Sequence, residues 1–78
     1  MTFDRAGHIL LTKYQELLAQ GYPEPLIEAS LRRCVGWAKR LTRNMPAEIR
    51  EDAFISLLRD NLVGAEDWIK GFSEKVAV

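Results

Sequence analysis

The sequence predicts an all-α protein: a small up-down bundle of three long helices and a shorter fourth, built as one domain of 78 residues. Apolar side chains recur every three or four positions along most of the chain, which is the period of an amphipathic helix. No stretch alternates apolar and polar residues at every second position, and no Asn-Gly or Asp-Gly pair marks a hairpin. Prolines and glycines divide the chain into segments joined by a few residues each, which favours antiparallel neighbours.

The first predicted helix covers about residues 3–20. Thr2 is a candidate N-cap, and Gly21 is placed to end the helix in the left-handed conformation. One arc of the helical wheel is apolar, and it holds Phe3, Ala6, Gly7, Leu10, Leu11, Tyr14, Leu17 and Leu18. His8 lies on the opposite, polar arc, where we expect a solvated side chain.

The second predicted helix covers about residues 25–43 and follows a turn that contains Pro23 and Pro25. A proline suits the first turn of a helix and pushes the residue before it out of the helical region. The apolar arc of this helix holds Ile27, Ser30, Leu31, Cys34, Trp37, Ala38 and Leu41. Because Cys34 lies within that arc, we expect it to be a small buried core residue and not a nucleophile.

A third helix is predicted over about residues 46–62 and a fourth over about residues 65–76. The third should bury Ala53, Phe54, Leu57, Leu58 and Leu62, with Ile49 and Ile55 at the margins. The fourth carries a narrow apolar stripe of Ala65, Trp68, Ile69, Phe72 and Val76. This shorter helix packs either on the other three or on a second subunit, in which case dimerisation would complete the bundle.

Composition and motifs exclude several classes of function. Eleven basic and eleven acidic residues cancel, so the chain as a whole has no field that would attract nucleic acid. One cysteine and one histidine provide neither a disulfide nor a thiolate zinc site, and no glycine-rich phosphate-binding loop is present. We therefore predict no cofactor, no metal site and no enzymatic activity.

The sequence also gives expectations about location. The start of the chain lacks the basic region and long apolar run of a secretion signal. The longest apolar run, Ile9-Leu10-Leu11, is far too short to cross a bilayer. We expect a cytoplasmic protein that does not associate with membranes.

The clearest polar pattern is a basic stripe on the second helix, opposite its apolar arc. At 100° per residue its members fall within about a third of the helix circumference, with Gly36 among them. The stripe consists of Arg32, Arg33, Lys39, Arg40 and Arg43. Such a surface can bind phosphates or an acidic protein. The structural alternative is that bases suit the C-terminal half of a helix and pair with Glu48, Asp52 or Asp60 of a neighbouring helix.

Three aromatic residues are candidate interface anchors. Trp37 lies at the edge of the apolar arc beside the basic stripe, Tyr22 lies in the first turn, and Trp68 lies at the centre of its stripe. Tryptophan and tyrosine near arginine are common anchors of protein interfaces. Core packing is the alternative for both tryptophans.

These features predict a small helical protein–protein interaction or regulatory module, which either self-associates as a homodimer or binds a protein partner. The alternative is a nucleic-acid-binding protein of low sequence specificity that uses the basic stripe. Reading of a DNA major groove by the third helix is disfavoured, because four acids against two bases give that helix a net charge of −2.

Overall fold

The computed structural model describes the backbone of residues 4–76 and the side chains of residues 5–72. Four α-helices and no strand are present in this part of the chain: α1 (Asp4–Ala19), α2 (Glu24–Thr42), α3 (Ala47–Leu62) and α4 (Ala65–Val76). The predicted all-α fold class is confirmed, and each helix begins and ends within one residue of its predicted boundary. Thr2, Phe3 and the side chain of Val76 lie outside the described residues. None of the described helices is long and apolar enough to cross a membrane.

The turn between α1 and α2 is a Schellman motif. The Gly21 N–H donates to the carbonyl of Leu18 (3.0 Å), and the Tyr22 N–H donates to the carbonyl of Leu17 (3.3 Å). These two bonds satisfy carbonyls that the end of α1 leaves without helical partners. Gly21 has a φ of +92°, which confirms its predicted left-handed conformation. Pro23 then precedes α2 in an extended conformation, and Pro25 lies in the first turn of that helix.

The three long helices run up, down and up. Ala6 packs in one cluster with Cys34 and Ala38, and Leu17 packs in another with Ile27, so α1 and α2 are antiparallel. The hairpin of α2 and α3 turns at residues 43–46 and forms the most extensive helix pair. α1 packs against both members of this hairpin.

Two apolar clusters form the core. The larger one joins α1, α2, α3 and the first residue of α4, and it contains Ala6, Cys34, Ala38, Phe54, Ile55, Leu58, Leu62 and Ala65. The smaller one lies where the α1–α2 turn meets α4, and it contains Leu17, Ile27 and Ile69. Leu31 packs against both clusters. The fourth helix therefore packs on the other three helices of its own chain.

The helical-wheel arcs were wider than the surfaces that are buried. Leu11, Leu18, Leu41 and Phe72 were expected in apolar arcs or stripes but are exposed, whereas Thr42 is buried. Thr42 follows Ala38 by one helical turn and so continues its buried stripe, while Leu41 is rotated away from it. The Thr42 hydroxyl donates to the Ala38 carbonyl at 2.8 Å, which removes the cost of burying it. Ile55, expected at the margin of α3, is a core residue.

Candidate partner-binding groove

A groove of about 750 Å³ runs between the second half of α2 and the first half of α3. The start of α1 limits it at one end, and the turn at residues 43–46 lies at the other. We call it the basic groove, and it is lined by Ala6, Gly36, Lys39, Arg40, Thr42, Arg43, Ala47, Arg50, Glu51, Phe54 and Ile55. Four cations face one carboxylate in this set, so the groove favours an anionic partner.

The α2 wall of the groove contains three of the predicted stripe residues. Gly36, Lys39, Arg40 and Arg43 are spaced i, i+3, i+4 and i+7, which places them on one face of the helix. All four are exposed. The ion pairs among the described side chains are Arg5–Asp52, Lys13–Glu16 and Lys70–Glu66, and none of them involves this wall. The wall therefore presents cations that a partner can neutralise.

The α3 wall combines a fixed cation with an apolar floor. Arg50 donates from both Nε (3.2 Å) and Nη2 (2.8 Å) to the carbonyl of Met45, so its guanidinium is held beside the turn. Phe54 and Ile55 lie about one turn beyond Arg50 along α3 and belong to the larger core cluster. The groove is thus cationic near the turn and apolar near α1.

Asp52, one of the carboxylates expected to pair with the basic stripe, pairs with α1. Its Oδ1 lies 3.1 Å from Nη1 of Arg5. This contact ties the start of α1 to α3 close to the end of the groove where Ala6 lies. Asp52 is consequently engaged on the α1 side of α3.

The structure divides the predicted basic stripe between two surfaces. Lys39, Arg40 and Arg43 line the groove, and the other two members, Arg32 and Arg33, do not. The guanidinium carbon of Arg33 lies 5.8 Å from the ring centroid of Trp68, in a cation–π contact that joins α2 to α4. The basic groove accordingly has four cations, one fewer than the stripe. One of them, Arg50, lies outside the stripe that the sequence pattern indicates.

Two of the three candidate aromatic anchors have partners within the chain. The Tyr22 hydroxyl donates to Glu66 Oε2 at 2.7 Å, and this hydrogen bond, with partial burial, raises the pKa of Tyr22. Trp68 stacks on Phe72 with ring centroids 5.6 Å apart. Trp37 is 39% exposed and, although it follows Gly36 directly, it does not line the groove.

The remaining chemically active side chains do not form a second site. Cys34 is buried, its thiol contacts the Asn61 carbonyl (3.7 Å), and burial raises its pKa, which disfavours the thiolate. His8 is exposed beside a shallow depression between α1 and α3, formed with Lys13, Glu16 and Arg59 among others. Among the described side chains no three potential metal ligands lie together.

Comparisons with protein-family models, with curated proteins and with solved structures found no match. The function must therefore be argued from the basic groove itself. Its chemical features are the cations near the turn, three of which form no ion pair with a described carboxylate, and the apolar floor near α1. A sequence signal existed for the α2 wall, because its residues repeat at helical spacing. None existed for the pairing of that wall with Arg50 and Phe54, which the α2–α3 packing creates.

Proposed function

We propose that this protein is a partner-binding module whose basic groove takes an acidic, amphipathic segment of another protein. The observation that carries the proposal is the combination of Lys39, Arg40 and Arg43, which have no carboxylate partner among the described side chains, with an apolar floor in one groove. A segment with both carboxylates and apolar side chains matches both features. A purely polar anion would match only the first.

The two features contribute differently to binding. Exposed ion pairs add about 0.2–1 kcal/mol each, but a cluster of cations steers an acidic partner to the groove and accelerates association. An apolar side chain that becomes fully buried contributes about 1.5–3 kcal/mol. After the costs of association, we expect dissociation constants of about 1–100 µM.

A protein segment fits the groove better than nucleic acid does. Phe54 and Ile55 form a floor that a phosphate backbone has no apolar group to match. Glu51 lines the same groove, and α3 as a whole has a net charge of −2. Both repel a duplex, which carries phosphates at regular intervals along its whole length, more than a peptide whose few carboxylates lie beside the cations. Binding of duplex DNA is therefore an outcome that the test must distinguish.

A second copy of the chain is the other occupant to separate experimentally. Equilibrium sedimentation over a wide range of protein concentration measures self-association directly. We expect a monomer, because α4 packs on its own chain and leaves the groove for a different protein. A dimer that the groove variants described next dissociate would contradict the proposal and assign the groove to a second copy.

The experiment selects a ligand without assuming its sequence. A library of random 16-residue peptides displayed on phage is panned on the immobilised protein, with the Arg40→Glu/Arg43→Glu double variant for counter-selection. We expect enriched peptides to combine Asp or Glu with Leu, Ile or Phe. Synthetic versions should lose at least 10-fold in affinity for the double variant and bind more weakly at higher salt, because exposed charge pairs are screened.

The matched control is Arg32→Glu/Arg59→Glu, which makes the same change in net charge at exposed cations outside the groove. Its affinity for the selected peptides should stay within about 3-fold of wild type, or about 0.65 kcal/mol. Equal losses in both double variants would mean that only net charge matters and would overturn the proposal. So would a selection that enriches no acidic peptide, or tighter binding of a 20-base-pair DNA duplex than of any peptide.

A further inference from the structure

We infer that the occupant of the basic groove binds as an α-helix and that Gly36 is the residue of α2 over which it packs. This inference rests on the proposed function and specifies the conformation of the partner and the residue that selects it. Three features support it: the course of α1, the helical spacing of the two walls and the open space at Gly36.

The first feature is the position of α1 along the hairpin of α2 and α3. α1 packs against both α2 and α3 along the hairpin that they form. The first described turn of α1 contains Arg5, which pairs with Asp52 in the second turn of α3, so the first turn of α3 extends past that turn of α1. The basic groove follows this part of the hairpin, with Ala6 at its inner end. A hairpin groove that holds one helix along part of its length has the cross-section for a helix along the rest.

The second feature is the spacing of the lining residues along each wall of the groove. The exposed groove residues Gly36 to Arg43 are spaced i, i+3, i+4 and i+7, with the buried Thr42 beneath them, and those on α3, from Ala47 to Ile55, are spaced i, i+3, i+4, i+7 and i+8. From Gly36 to Arg43 the wall rises about 10.5 Å, which is two turns of helix. A helical partner with an apolar residue at one position and carboxylates one and two turns away matches this run. An extended partner covers the same length with about three residues.

The third feature is Gly36, a glycine within α2 that lines the groove. Glycine is a poor helix former, yet Gly36 lies in the middle of a 19-residue helix and has a helical conformation that any residue adopts. A Cβ built on it meets nothing within 4 Å, so internal packing does not require a glycine there. It is exposed and lies on the groove wall. The absent side chain lets the backbone of a partner approach α2 closely at the apolar end of the groove.

Substitution at Gly36 separates binding from folding. Gly36→Ala and Gly36→Leu should raise the melting temperature measured by circular dichroism, because both residues favour the helix and meet no obstacle. The control is Gly71→Leu on α4, where an added Cβ also meets nothing within 4 Å and which does not line the groove. All three variants keep the charges of the groove unchanged.

The probe is an acidic, amphipathic peptide recovered by the phage selection, labelled with fluorescein and followed by anisotropy. We expect Gly36→Leu to weaken its binding at least 10-fold, Gly36→Ala to have a smaller effect, and Gly71→Leu to have none. Carbon-13 chemical shifts of the bound peptide should report helix over at least two turns. A proline placed in the centre of the peptide should also reduce affinity at least 10-fold.

The outcomes distinguish the inference from the proposed function. If Arg40→Glu/Arg43→Glu abolishes binding but Gly36→Leu binds as tightly as wild type, or if the bound peptide is extended, the groove is the site and the inference is wrong. If neither set of variants affects the peptide, both are wrong. A loss for Gly71→Leu equal to that for Gly36→Leu would also overturn the role given to Gly36.

Discussion

The two ends of α2 have opposite surroundings. At its first half, α4 lies across the helix: Ile69 packs with Leu17 and Ile27, Trp68 contacts Arg33, and Tyr22 binds Glu66. At its second half, the described residues that share its core cluster belong mainly to α3 and the start of α1, and the basic groove follows. We call these the α4 end and the groove end.

The comparison shows how the same kinds of residue differ in role according to what covers them. At the α4 end, an arginine is placed on an aromatic ring and a glutamate accepts a hydrogen bond. At the groove end, Lys39, Arg40 and Arg43 lie in nearly the same helical register as Arg32 and line the groove. α4 is itself a short helix with acids in its first turn, Glu66 and Asp67. A short helix with acidic residues therefore packs at the α4 end, and we propose a segment of the same kind for the groove end.

The largest expected effect lies in the core of the α4 end. Ile69→Ala removes a side chain with 0% exposure and should lower the free energy of unfolding by about 2–5 kcal/mol. The paired variant is Leu41→Ala in the last turn of α2, where the side chain is 46% exposed and the expected loss is about 1 kcal/mol. Urea unfolding followed by circular dichroism measures both. Similar losses in the two variants would mean that the two ends are equally covered.

A smaller effect is expected at the turn of the groove end. Arg50→Gln removes the paired hydrogen bonds to the Met45 carbonyl, and we expect the free energy of unfolding to fall by about 0.5–1.5 kcal/mol. Peptide binding should weaken more than Arg59→Gln weakens it, because only Arg50 lines the groove. An Arg50→Gln variant that binds the selected peptide normally would limit the groove to the α2 wall.

The smallest effect is a pH dependence at the α4 end. The pKa of Tyr22 is raised above 10, first by its hydrogen bond to Glu66, so the folded protein holds this proton more tightly than the unfolded chain does. The resulting stability is complete below pH 10 and is lost as pH rises through the folded pKa. Tyr22→Phe should reduce this alkaline loss. Some should remain, because the pKa of Tyr14 is also raised, first by burial and then by Glu24 and Glu28.

Ultraviolet absorbance at alkaline pH measures the titration, and urea unfolding at pH 8 and pH 11 measures the stability. A loss of stability between pH 8 and pH 11 that is as large in Tyr22→Phe as in the wild type would contradict the effect of the hydrogen bond to Glu66. The control is Tyr14→Phe, which removes the second titration and leaves the contact between Tyr22 and Glu66 in place.

The sequence predicted most of the fold because its signals are local. Gly21, Pro25 and Pro46 determine helix ends through backbone geometry, which nearby residues alone decide. The prediction was wrong where burial depends on a neighbouring helix. Leu41, expected in the apolar arc, is exposed and the adjacent Thr42 is buried, because the packing of the neighbouring helices selects which of the two is covered.

The candidate site was only partly predictable for the same reason. Lys39, Arg40 and Arg43 share a face that the periodicity of one helix reveals. Their grouping with Arg50 and Phe54 depends on how α3 packs against α2. The contact between Tyr22 and Glu66 joins residues 44 positions apart, and no local pattern in the sequence indicates it.

The position of Leu31 has a consequence for how the molecule comes apart. This side chain packs against both apolar clusters, and α2 contributes buried residues to each. Neither cluster can melt without removing support from the other, so we expect the domain to lose its structure in a single cooperative transition. The backbone amides of α2 would then be the last to exchange with deuterium.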